Sequence, residues 1–129
     1  MLQTKAFFYG KLSTDSALIS LLGSTNNISD AWPEVVNTFP MVIIMDDNQR
    51  DWEFVDNKPK GSSVTVTIHI FTKAKAGAPT TSAIGSAVAL VFYNLDFACT
   101  SNGEVSDPVP DVRHRIMRFS RELFPSELI

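Results

Sequence analysis

Residues 63–73 read SVTVTIHIFTK, and the alternation runs through the whole stretch. Val64, Val66, Ile68 and Ile70 fall on one parity; Ser63, Thr65, Thr67, His69 and Phe71 fall on the other. A period of two is the mark of a strand with unlike faces. Burying the four Val/Ile side chains contributes about 6–12 kcal/mol as an upper figure, at ~1.5–3 kcal/mol each. A domain with a net stability of ~5–15 kcal/mol cannot lose that. A slip of one residue in register would expose all four. The Val/Ile parity therefore faces the core, and His69 does not lie on it. The open matter is what the Thr/His/Phe parity meets: water, a ligand, chemistry or another copy of the chain.

Working outward, MVIIM at 41–45 is apolar on both parities and rich in β-branched residues, so it reads as a central strand ended by Asp46, Asp47 and Asn48. Residues 51–55 extend a ribbon, and Asn57, Pro59 and Gly61 mark a turn into a strand from about 62 to 73. Upstream, Leu2, Ala6, Tyr9 and Leu12 make one helical stripe, and Leu18, Leu21 and Leu22 another. Ser13 or Thr14 suits an N-cap and Gly23 a stop, so 2–22 reads as one long or broken helix. Residues 24–40 are turn-rich, with a short strand at Ile28 to Ala31. Downstream, residues 74–81 form a loop. Ile84, Ala87, Val88, Val91 and Leu95 stripe a helix over about 80–97, whose small Ala83, Gly85, Ser86 and Ala89 allow close approach to a sheet. Residues 99–110 read as a loop or loose hairpin turning at Asn102-Gly103. VRHRIMRFSREL, from Val112, reads as a last strand. Val112 and Ile116 share one parity while Met117 and Phe119 share the other, so either both faces are buried or a bulge near Ile116 flips the register.

The expected architecture is α+β: a mostly antiparallel sheet of four to five strands with two helices on one face. The 129 residues make a single domain, 1–129, and 44% apolar content supplies its core. Charged residues are 19%, which suits a surface partly hidden against partners. The net charge of −3 argues against a dedicated phosphate-backbone binder. The single cysteine, Cys99, excludes an internal disulfide and Cys-rich metal sites. MLQTKAFFYGKL lacks the apolar core of a signal peptide, and no run reaches the ~18 apolar residues of a membrane span. The expectation is a cytosolic product with no membrane partner.

Candidate chemistry is thin. His69 and His114 are the two histidines, and the pattern supplies no partner for His69 and no metal-ligand spacing. Asp46, Asp47, Asp51 and Glu53 border turn residues and read as solvated charges. Cys99 follows an apolar helix end and reads as a buried structural thiol. No nucleophile elbow or phosphate loop is present, so neither a cofactor nor an enzymatic activity is expected. Trp32, Phe39, Trp52, Phe54 and Phe71 are open to three readings: base stacking, interface anchors, or a small second core under the loops.

The order of several pieces resembles a known family. Leu12, Asp15, Ala17, Leu18, Leu21, Leu22 and Gly23 follow L-x-x-D-x-A-L-x-x-L-L-G. A segment from Ile28 to Pro33 comes next, then Phe39-Pro40 leading into Met41 to Ile44, then the strand Val64 to Phe71. A small-residue helix and an arginine-bearing strand close the pattern. Over residues 10–120 this resembles the tail completion, or head–tail joining (tail terminator), proteins of long-tailed bacteriophages and prophages. The resemblance implies a structural virion protein, made in the host cytoplasm, that caps the tail tube and joins it to the head connector as a ring, typically a hexamer. Its implied partners are other copies of itself, the major tail tube protein and the head connector or stopper protein, with DNA crossing the lumen unread. On that reading Trp52, Glu53, Phe54, His69, Phe71, Arg113 and Arg115 are the expected interface residues. Two other readings compete. One is a small ligand-binding or enzymatic domain using His69 with Asp46, Asp51 or His114. The other is a nucleic-acid accessory using Arg113, Arg115, Arg118 and Arg121.

Overall fold

The computed structural model describes residues 4–29, 39–55, 58–74, 77–106 and 111–123. The chain order is helix α1 (Thr4–Ser13), helix α2 (Ser16–Leu22), a 3-10 turn (Thr25–Asn27), β1 (Ile28–Ser29), β2 (Met41–Val55), β3 (Lys58–Lys73), helix α3 (Thr81–Asn94), β4 (Ala98–Val105) and β5 (Val112–Leu123). The strands form one sheet in the order β1-β2-β3-β5-β4. β1 runs parallel to β2, and every other described pairing is antiparallel. The α+β class and the mostly antiparallel sheet agree with the sequence. Three helices stand in place of two, because the N-terminal segment breaks between α1 and α2.

Local chemistry explains the break. The Thr14 hydroxyl donates to the Gly10 carbonyl at 2.8 Å, closing α1. The cap of α2 is Asp15 rather than Ser13 or Thr14: its carboxylate accepts from the Leu18 N–H at 3.0 Å. Gly23 ends α2 at φ 85°, donating its N–H to the Ile19 carbonyl, a conformation that favours glycine. Thr80 caps α3, accepting from the Ala83 N–H at 3.1 Å. α3 stops at Asn94, short of 97, and Phe97 folds back to donate its N–H to the Phe92 carbonyl at 2.9 Å. Phe97 is thereby buried in the core rather than carried on the helix.

Val64, Val66, Ile68 and Ile70 are all buried, and they meet Phe8, Leu12, Leu18, Leu22, Ile84, Val88 and Phe92 of the helices. Phe92 is the hub of an aromatic cluster: it stacks on Phe119 at 4.4 Å and lies 5.2 Å from Phe8 and 5.5 Å from Phe97. Gly85 lets α3 approach β5, since a Cβ there would stand 3.2 Å from the Met117 sulfur.

Three strand assignments differ from the sequence reading, and a fourth, in β5, is decided between its two alternatives. Asp46–Asn48 do not end β2; the register with β3 shifts there and pairing continues to Val55. A bulge absorbs the polar residues without closing the ladder. Pro59 and Gly61 lie in β3, opposite Phe54 and Trp52, rather than in a turn. The described part of β5 reaches Ser62, so among the described residues β3 has β2 alone beside it at 58–61, where a missing ladder N–H costs least. Residues 98–105 are a strand, with Asn102 and Gly103 paired to Met117 and Ile116, not a turn. This edge strand is mostly exposed, so it shows no apolar alternation to read. The parity change in β5 is not a bulge, since its register with β3 is continuous. Met117 and Phe119 face the helices, while Val112 is buried on the other side.

Candidate assembly surfaces

The sheet face away from the helices is built from rows that cross the strands. Met41, Phe71, His114 and Val105 make one row; Ile43, His69, Ile116 and Gly103 make the next; Met45, Thr67, Arg118 and Ser101 make a third. At the first two rows this face is not a solvated polar surface. Met41, Ile43, Phe71 and Val112 form a second buried cluster, with Phe39 and Met45 packed on it. Thr67 is buried as well. Phe39 and Phe71 pack in this cluster, as a small second core would have them, while Trp32 lies outside the described residues.

His69 has a partner that the sequence pattern did not supply. Its Nδ1 lies 2.9 Å from His114 Nε2. The His114 ring in turn stacks on Phe71 with centroids 4.1 Å apart. Pairing of Phe71 with His114 places His69 on the diagonal, so register alone creates the contact. One of the two nitrogens donates and the other accepts. Among the described residues no group of three or more His, Cys, Asp or Glu is placed to hold a metal ion. Cys99 is half-buried rather than buried, and its thiol donates to the Ser101 carbonyl at 3.3 Å.

The expected interface residues divide into separate places. Trp52, Glu53 and Phe54 lie near the tip of the β2–β3 hairpin, and their side chains are outside the described residues. Gly61, opposite Trp52, is eight residues from His69 along β3, about 26 Å of strand. His69 and Phe71 sit on the face away from the helices. Arg115 sits on the helix side: its Nε donates to the Thr81 hydroxyl at 3.2 Å and its Nη1 to the Asn102 side-chain oxygen at 2.8 Å. The Thr81 hydroxyl donates onward to Glu104 at 2.5 Å, tying the start of α3 to β4 and β5. Arg113 is exposed and borders a hollow of about 180 Å³ with Lys73, Pro79 and Glu104. Of the late arginines, Arg121 is also anchored, donating to the Leu95 carbonyl at 2.9 Å.

Sequence reasoning missed one feature altogether, a groove of about 370 Å³ between α3 and β4. Gly85, Ala89, Leu90, Tyr93, Asn102 and Arg115 are among its walls. Leu90 is 61% exposed and Tyr93 50% exposed, although both are large and apolar or aromatic. The signal was present in the helix, where these two residues fall off the core stripe.

No family model and no curated protein sequence matches the chain. A chain in the solved structure of the virion of a native gene transfer agent (GTA) particle does share its fold. The TM-score is 0.68 at 18% identity, over 93% of this chain and 93% of that chain. The likeness spans the whole architecture rather than one motif. No described helix is long and apolar enough to cross a membrane.

Proposed function

We propose that this chain is a structural protein of a phage-like virion, forming a ring that caps the tail tube and joins it to the head connector. The observation that carries the reading is the fold shared with a virion chain over nearly all of both chains. The ordered pieces from Leu12 to Gly23, Phe39-Pro40 and Val64 to Phe71 support the finer placement at the tail–head junction. The partners are further copies of the chain, the major tail tube protein and the connector or stopper protein. DNA passes through the lumen without base-specific contact, and the net charge of −3 suits a channel that does not retain phosphates. No catalytic step is assigned to any residue.

The test is electron microscopy of particles from a phage lacking this gene, with complementation by the intact chain. The reading expects tails of irregular length that fail to join filled heads, with rescue on complementation. Tails that stop at normal length and carry heads overturn it.

A further inference from the structure

We infer that the outer edge of β4, with the groove beside it, receives the outer edge of β2 from the next copy of the chain, head to tail. The inference rests on the ring reading above and adds the surfaces that close it.

β2 and β4 lie at opposite sides of the sheet. β1 covers β2 only at Val42 and Ile43, so from Ile44 onward its outer edge has no strand beside it among the described residues. The outer edge of β4 likewise has none among the described residues. A row of partners runs Ile44, Ile68, Met117, Asn102, and another runs Asn48, Thr65, Ser120, Ala98. A second copy placed alongside in the same plane therefore brings Ile44–Asn48 level with Ala98–Asn102. Strand direction alternates from β2 through β3 and β5 to β4, so the two edges meet antiparallel and their ladder hydrogen bonds can form.

Charge selects the same occupant. Residues 46–55 carry Asp46, Asp47, Asp51 and Glu53 against Arg50 alone. β4 and β5 carry Arg113, Arg115, Arg118 and Arg121 against Glu104 and Glu122. β5 is one strand in, about 5 Å from the β4 line, within the length of an arginine side chain. Arg115 spends its Nε and Nη1 on Thr81 and Asn102, and its Nη2 makes no hydrogen bond among the described residues. By register Asp46 of the arriving strand comes level with Cys99 and Phe119, two rows along from Asn102, to which Arg115 is bonded. Because the two surfaces differ, the contact is heterologous and repeats around a ring. Two β4 edges meeting back to back would instead set arginines against arginines.

The experiment is disulfide trapping in a Cys99→Ser background, on protein alone and on protein added to isolated tails. One chain carries Ala98→Cys, another Asn48→Cys, and a third carries both. The inference expects a single dimer band from the mixed single variants and a ladder up to the full ring from the double variant. Charge reversal at Asp46 and Asp47 to Lys should weaken the trapped ladder at least tenfold, while the thermal midpoint shows whether the fold is kept. Dimers from Ala98→Cys alone, or links to another tail protein in place of self, overturn the inference. Rings visible on tails without any link overturn this interface and leave the ring reading standing. No rings on tails at all overturn both.

Discussion

His69 Nδ1 and His114 Nε2 face each other at 2.9 Å across β3 and β5, with the His114 ring stacked on Phe71. Their hydrogen bond needs one donor and one acceptor. His69→Ala removes one side of it and is expected to cost about 1 kcal/mol in urea unfolding. A variant as stable as the intact chain would remove the bond as a contributor.

Phe92 touches Phe8, Phe97 and Phe119, which come from three other parts of the chain. Phe92→Ala removes the ring at their meeting point and is expected to cost about 3–5 kcal/mol. Urea unfolding measures it. Leu90→Ala, on the same helix but exposed, should stay within about 0.5 kcal/mol.

The caps act at separate helices. Asp15→Ala should cost about 1 kcal/mol, since the Leu18 N–H loses its acceptor. Thr80→Ala should cost a similar amount at the Ala83 N–H. The double variant should show the sum to within about 0.5 kcal/mol, because the two sites share no partner. Asp15→Asn should retain most of the stability.

Gly85 is set by close approach rather than by φ. Gly85→Ala forces the Met117 sulfur, 3.2 Å from the new Cβ, to move by a few tenths of an ångström. Gly85→Val adds bulk that β5 cannot yield, and is expected to cost about 1–3 kcal/mol. Thermal unfolding should place the Val variant below both the intact chain and the Ala variant. A Val variant as stable as the intact chain would mean that α3 can lift from the sheet.

The α+β class, the core face of β3 and the stripe of α3 were legible because each is a periodic burial pattern. Val64 to Ile70 could be assigned to the core from alternation alone, and all four are buried. The edge strand β4 was not legible. Its residues are mostly exposed, so hydrogen bonding to β5 rather than burial makes it a strand. Phe8 was missed as well, since a stripe read from Leu2, Ala6, Tyr9 and Leu12 passes beside it, yet Phe8 is only 1% exposed. Of the expected interface residues, His69 and Phe71 proved to be packed against His114, and Arg115 proved to be tied to Thr81.

The amino-acid order alone determined which face of SVTVTIHIFTK carries the main core against the helices, because a run of Val and Ile on one parity must be buried together. It also determined the helix stops at Gly23 and the shortage of catalytic motifs. Only the tertiary structure decided what the second face meets. The His69–His114 contact, the Met41–Phe71–Val112 cluster and the groove between α3 and β4 all join residues from different strands or helices. Such neighbours are set by register and by the order of strands in the sheet, and neither is written in the periodicity of any single segment.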